Sequence, residues 1–277
     1  MKRKPMMAGN WKMNKTISEA KELALALKAS AGAETKVDVV LCPPFLAIPT
    51  VAGAVAGSNI KVAAQDFFWK EKGAYTGEIS AQMIKDGGCA SVVIGHSERR
   101  GRFGKVEDDL VGEGLGPFGD NNTTVNTKTK AALDAGLLPI VCCGETLAER
   151  KTGKTDLVVK SQVLAALAGL SGEEIAKVVI AYEPVWAIGT GEVCDSAEAN
   201  RVLGMIRGAL AELVGDTAQA MQILYGGSVA PDNIEELMAQ PEIDGGLVGG
   251  ASLVAEKFQA LIDAAAKARG GCCGCGG

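Results

Sequence analysis

The sequence predicts an α/β fold, a single (β/α)8 barrel with eight parallel strands inside and helices around them. Three observations predict it. Short β-branched, apolar runs alternate with longer amphipathic runs along the chain, the periods of buried strands and surface helices. The alternation repeats eight times with no break in composition, which favours a closed barrel over an open, doubly wound sheet. The chain has 277 residues, 47% of them hydrophobic, enough for one large core at a size barrels often reach.

Taken in order, the first four strand candidates are Met6-Met7-Ala8-Gly9, Val37-Asp38-Val39-Val40-Leu41, Ile60-Lys61-Val62-Ala63-Ala64 and Ser91-Val92-Val93-Ile94. The later four are Leu138-Pro139-Ile140-Val141-Cys142, Val178-Val179-Ile180-Ala181, Gln222-Ile223-Leu224-Tyr225 and Gly246-Leu247-Val248. The run before Glu183, Lys177 to Ala181, is β-branched and apolar, as a buried strand is. Helical patterns lie between them, with Ser18 expected to cap the first and Ser196 a later one. The barrel is expected to span residues 1–269, followed by a flexible Gly/Cys-rich tail at 270–277.

Bulk chemistry excludes several classes of function. Lys+Arg 28 against Asp+Glu 33 gives a net charge of -5, which supplies no electrostatic footprint for nucleic acid or an anionic membrane. No run approaches the length of a membrane-spanning helix. The basic start, Met1-Lys2-Arg3-Lys4, meets no signal or transit core, so the cytoplasm is the expected compartment. Cys42, Cys89, Cys142 and Cys143 lie in or beside apolar runs, as small buried hydrophobes do, and free thiols in a reducing compartment are expected. The chain has one histidine, which argues against a His-based metal site.

Barrels place chemistry at the C-terminal ends of their strands. Asn10-Trp11-Lys12 follows the first strand and Gly95-His96-Ser97-Glu98-Arg99-Arg100 the fourth. Glu183 stands where the sixth ends. Pro184 then forces an extended exit, and Gly189-Thr190-Gly191 closes an apolar tip, Val185-Trp186-Ala187-Ile188. Such a tip is unfavourable unless it covers something, so the pairing suggests a base working in a dry site under a mobile loop. Tyr225-Gly226-Gly227-Ser228 follows the seventh strand and Gly249-Gly250-Ala251-Ser252 the eighth. Bare backbone N–H groups at a helix start bind phosphate, and these two loops are the usual place for it.

Taken singly, a lysine after a strand is a solvated group, a histidine a structural one and a glycine pair a turn. Their convergence on one rim points instead to a small phosphorylated substrate. Gly245 to Gly250 lacks a following lysine, and Gly189-Thr190-Gly191 lacks a third glycine, so neither matches a nucleotide-binding loop.

These segments, together with Tyr75-Thr76-Gly77-Glu78 and Cys142-Cys143-Gly144-Glu145, resemble the triosephosphate isomerase family over roughly residues 5–268. The resemblance implies interconversion of dihydroxyacetone phosphate and glyceraldehyde 3-phosphate, in glycolysis and gluconeogenesis, without metal or cofactor. It implies Glu183 as the base and His96 as a neutral electrophile, and this family is itself a standard case of that pairing. Lys12 is implied near the phosphate and the developing enediolate, with Asn10 completing the polar wall. Gly189, Ser228, Gly249 and Gly250 become substrate-binding positions, and Glu98 a supporting group near Lys12. The segment Phe67 to Thr76, within a loop at 66–80, resembles the family's dimer loop and implies a homodimer with Thr76 touching the partner's site.

Two regions depart from the family. Phe103-Gly104 and Phe118-Gly119 duplicate a dipeptide the family has once, which marks about 103–117 as an insertion. The second copy continues as the family does, with an acid, Asp120. In the tail, Cys272, Cys273 and Cys275 read as a linker or scar, with a soft-metal or redox site the lesser alternative. Two rival functions remain at this point: another small sugar phosphate as substrate, or a non-catalytic phosphate-binding barrel.

Overall fold

The computed structural model describes residues 3–105 and 107–270. All eight expected strands form: β1 (Met6–Asn10), β2 (Asp38–Cys42), β3 (Lys61–Ala64), β4 (Ser91–Ile94), β5 (Leu138–Cys143), β6 (Val179–Tyr182), β7 (Ile223–Tyr225) and β8 (Gly245–Val248). Each pairs in parallel with its neighbour in sequence, and β1 closes the ring on β8. Around them run α1 (Ile17–Ala31), α2 (Ile48–Val55), α3 (Ala81–Asp86), α4 (Asn122–Asp134) and α5 (Leu147–Lys151). The ring continues with α6 (Thr155–Leu167), α7 (Gly172–Ile175), α8 (Ser196–Val214), α9 (Ile234–Ala239) and α10 (Ala255–Gly270).

Alternate residues of each strand fill the barrel. Met6 and Ala8, Val40 and Cys42, Ile140 and Cys142, and Val179 and Ala181 pack in the interior cluster, while their neighbours join the larger cluster beneath the helices. This period of two has a consequence at the rim. The row Met6-Ala8 runs on to Asn10, and Val179-Ala181 runs on to Glu183, so both polar residues inherit the inward direction of an apolar row.

The two expected caps are each displaced. Thr16, not Ser18, caps α1: its hydroxyl accepts from Glu19 N at 3.4 Å, and the Glu19 carboxylate accepts from Thr16 N at 2.8 Å. A glutamate three residues after Thr16 completes this reciprocal pair, whereas Ser18 is followed at that spacing by Lys21. Asp195, not Ser196, caps α8, accepting from Glu198 N at 2.7 Å. A carboxylate there also meets the positive end of the helix dipole. Ser196 is the first helical residue, and its hydroxyl donates to Glu236.

The excursion after β4 leaves beyond a 3-10 turn, Ser97–Arg100, and rejoins the barrel at Asp120. There Asp120 N donates to Arg99 O at 3.0 Å. Its acids Glu107, Asp108, Asp109 and Glu113 are exposed. The rings of Phe103 and Phe118 meet edge to face with centroids 5.2 Å apart. Beneath this neck lies a buried ion cluster. Lys128 Nζ is 2.7 Å from both Asp66 Oδ1 and Asp120 Oδ1, and Arg99 Nε is 2.8 Å from Asp66 Oδ2. Burial pushes the Asp66 carboxyl up, and Lys128 pulls against it.

Cys42, Cys89, Cys142, Cys143 and Cys194 are buried free thiols. Burial raises each of them, Cys89 and Cys194 to about 12. Cys272, Cys273 and Cys275 lie outside the described residues. Among the described residues, no helix is long and apolar enough to cross a membrane.

Candidate active site

The loops at the C-terminal rim surround a cleft of about 790 Å³. Asn10, Lys12, His96, Glu98, Gly189, Ser228, Gly249 and Gly250 all line it. They come from the rim ends of five strands, β1, β4, β6, β7 and β8. Two expected residues lie elsewhere. Thr76 sits on an exposed loop and is not part of this wall, and Glu183 is buried behind it.

Lys12 is held in an unusual backbone conformation, φ 52°, sparsely populated by residues with a side chain and favoured only where neighbours enforce it. Here Lys12 N donates to Asn10 Oδ1 at 3.1 Å, and Gln65 Nε2 donates to Lys12 O at 2.9 Å. The result aims the ammonium across the cleft, where Nζ lies 2.6 Å from Glu98 Oε1.

His96 caps the 3-10 turn that follows it, its Nδ1 accepting from Glu98 N at 3.2 Å. An accepting Nδ1 assigns the proton of the neutral ring to Nε2. That nitrogen lies 2.7 Å from Glu183 Oε1. Burial favours the neutral imidazole, but Glu183 and Glu98 favour the charged one. The carboxylates prevail, so the pKa lies above its ordinary value.

Glu183 is anchored through its backbone, N donating to Cys143 O at 2.7 Å, while Oε2 accepts from Ser97 N at 2.9 Å. Neighbouring backbones approach it closely. A side-chain carbon on Gly226 would fall 2.9 Å from Glu183 Cγ, and one on Gly144 only 1.7 Å from Glu183 O. Glycine at both positions lets the ends of β5 and β7 close on Glu183, Gly144 against its backbone and Gly226 against its side chain.

The loop beyond Glu183 is more buried than an exposed tip. Val185, Trp186 and Ala187 form a 3-10 turn and are buried, while Gly189 to Gly191 are exposed. Trp186 Nε1 donates to Glu145 Oε1 at 2.8 Å, Tyr182 OH donates to the same carboxylate, and the Arg150 guanidinium stacks 4.2 Å over the Trp186 ring. Ser228 Oγ donates to Ala187 O at 3.2 Å, joining this loop to the one after β7. Glu145 was visible in the sequence only as the end of a family motif. Nothing in its local spacing announced a buried acceptor for the loop's tryptophan.

A barrel rim bearing a lysine, a histidine facing a glutamate, and two glycine-rich loops narrows the possible families sharply. The profile of the triosephosphate isomerase family matches residues 5–265. The chain belongs to that family. The triosephosphate isomerase of Moorella thermoacetica is 51% identical over 261 residues, covering 94% of this chain and 98% of the relative. That of Caldanaerobacter subterraneus is 51% identical over 262 residues, covering 94% and 99%. That of Endomicrobium trichonymphae is 48% identical over 260 residues, covering 94% and 98%. The match to triosephosphate isomerases thus takes in the whole barrel and its rim.

Proposed function

We propose that this chain interconverts dihydroxyacetone phosphate and D-glyceraldehyde 3-phosphate by proton transfer through an enediolate, a step of glycolysis and gluconeogenesis. The observation that carries the reading is the 2.7 Å approach of His96 Nε2 to Glu183 Oε1, beside a cleft that Gly189, Gly226, Gly227, Gly249 and Gly250 also line. The two groups divide the chemistry, and the family is itself a standard case of that division. Glu183 takes the proton from the carbon beside the carbonyl and returns it to the neighbouring carbon. His96, with its proton on Nε2, donates to the carbonyl oxygen and moves protons between the two oxygens.

Lys12 stabilises the charge that develops on the oxygen, a preorganised cation being worth most in a site that excludes water. Its bond to Glu98 keeps the ammonium aimed before substrate arrives, and Asn10 completes the polar wall. Gly189, Ser228, Gly249 and Gly250 receive the phosphate. The Glu183 carboxylate accepts from Ser97 N and does not line the cleft, so it must leave that bond to face a substrate held there. Movement of the loop at 184–191 over the bound phosphate accompanies this step and shields the enediolate from elimination of phosphate. No step calls for a metal or cofactor. Purified protein given glyceraldehyde 3-phosphate should drive NADH oxidation by a dehydrogenase that reduces dihydroxyacetone phosphate. Oxidation no faster than the protein-free blank would overturn the reading.

We propose also that the protein is a cytoplasmic homodimer joined through the loop at 66–80, with Thr76 reaching the partner's site. The rim loops and adjoining helices from β1 to β4 carry unusually exposed apolar side chains, Met13 at 96%, Leu46 at 82% and Met83 at 58%. Phe68 packs against both Trp69 and Tyr75, at 4.2 Å and 4.8 Å, which stiffens the loop that would enter a partner. Light scattering at micromolar concentration should give twice the 28.5 kDa chain mass. A fully active monomer would count against it.

A further inference from the structure

The two Phe-Gly dipeptides that bracket the insertion have glycines with opposite surroundings. A side-chain carbon on Gly119 would meet nothing within 4 Å. One on Gly104 would stand 2.2 Å from the carbonyl oxygen of Ile188, 2.6 Å from that of Val185 and 3.0 Å from Thr190 Cγ2. The two carbonyls belong to the backbone of the loop after Glu183, so they cannot turn aside as the tip of a side chain would. That backbone is also closed on itself. Ile188 N donates to Val185 O at 3.2 Å, and Thr190 Oγ1 donates to Trp186 O at 2.7 Å. A push at Gly104 therefore moves the turn as a unit.

We propose that Gly104 is a positioning residue for the isomerase reaction. Its bare backbone is the seat on which the loop at 184–191 rests while Glu183 is turned to His96 and Ser97, and the fit there sets how far the loop's balance favours that resting place. The proposal rests on the isomerase reading above. In the seated arrangement Glu183 faces His96 and Ser97 and does not line the cleft, so this is the arrangement the loop leaves when substrate binds. If the loop leaves Gly104 along with Glu183, this contact holds it back, and weakening the contact shifts the population toward the substrate-facing form.

The duplicated dipeptide supplies a matched control. Gly104→Ala and Gly119→Ala make the same chemical change fifteen residues apart in the two copies. Three readouts separate seating from general damage: affinity for 2-phosphoglycolate, a stable phosphorylated mimic of the enediolate; kcat and KM taken apart; and the fluorine NMR signal of Trp186 in 5-fluorotryptophan-labelled protein, assigned with Trp186→Phe. Gly104→Ala is expected to bind the mimic about three- to tenfold more tightly. It should lower KM and also kcat, because the loop reopens more slowly. Its ligand-free Trp186 signal should move toward the bound position, while Gly119→Ala matches the wild type throughout.

If Gly104→Ala does not fold, Thr190→Ser serves instead. It removes the methyl group over Gly104, keeps the hydroxyl that donates to Trp186 O, and should tighten mimic binding about twofold. Unchanged or weaker binding in the folded variant, or equal effects at Gly104 and Gly119, would overturn the proposal. A wild-type protein that does not bind the mimic would overturn the isomerase reading and the seat with it. Wild-type binding with no change in the variants would sink the seat alone.

Discussion

The loop that follows Glu183 and the excursion that follows His96 leave the same rim, begin at the two reacting side chains, and carry glycines, two in the loop at 184–191 and more in the excursion. They are nevertheless held very differently. The loop after Glu183 hangs on buried polar anchors: Glu145 receives Trp186 Nε1 and Tyr182 OH, and Ser228 Oγ reaches Ala187 O. The excursion after His96 is tied at its neck, by Asp120 N to Arg99 O and by the Phe103–Phe118 ring contact. It is tied to α5 by the Arg102–Glu149 ion pair and meets the other loop at Gly104, and its acids lie in water. Glycine content alone does not say whether a segment is a working part. What decides it is where the polar atoms at its two ends find partners.

The sharpest break in this comparison lies at the reacting end of the first loop. Glu183→Gln keeps the shape but cannot take a proton, so kcat should fall by about a hundredfold to ten-thousandfold. Near wild-type turnover in the coupled assay would remove Glu183 from its role. The anchor comes next. Glu145→Ala leaves the Trp186 and Tyr182 donors buried without their acceptor, at a cost of about 1–3 kcal/mol each. Thermal unfolding should shift down, and kcat should fall about tenfold. Burial already pushes the Glu145 carboxyl up while Trp186 pulls it down, so Glu145→Gln, which keeps an acceptor oxygen, should be milder on both measures. Equal damage from both variants would show that the charge matters more than the acceptor.

A smaller effect is expected from the excursion. Deleting residues 103–117 joins Arg102 to Phe118-Gly119 and so restores one Phe-Gly pair where two stood. kcat should stay within about tenfold, or roughly 1.4 kcal/mol of barrier. Loss of folding or of all turnover would make the segment an integral part of the site. The smallest effect concerns the core shared by both loops. Cys89 and Cys194, with pKa values near 12, should resist iodoacetamide at pH 8 in the native protein, as should Cys42, Cys142 and Cys143. Peptide mapping reads this directly, and rapid labelling of any of the five would mean that the barrel opens locally.

Much of this was legible in the sequence because it rests on repeating patterns. Eight apolar runs gave eight strands within one or two residues of their observed ends, and the inward rows that end in Asn10 and Glu183 follow from a period of two. Helix starts were less legible. Ser18 and Ser196 are good cap residues in isolation, but Thr16 has a glutamate at the matching spacing and Asp195 has charge, and both effects depend on which residue starts the helix. Least legible were contacts between loops that are distant in sequence. Gly104 beneath Ile188, Gly144 against Glu183, and Glu145 beneath Trp186 are consequences of barrel closure, which local spacing does not encode. The Glu183 carboxylate itself was placed at the right strand end, yet its resting bond to Ser97 N and its burial behind the cleft wall were not foreseeable from the loop that follows it.

The neck of the excursion has a practical consequence for protein design. Its two ends are already brought together, Asp120 N reaching Arg99 O, over an ion cluster that fixes both stems. A chain spliced between them adds little closure entropy as it lengthens, since each doubling of a flexible loop costs only about 0.6 kcal/mol. The barrel thus offers a ready socket for a foreign peptide, a reporter or a whole guest domain with neighbouring termini. Anything seated there would ride at the lip of the cleft, close enough for its own ligand to be read out as a change in turnover.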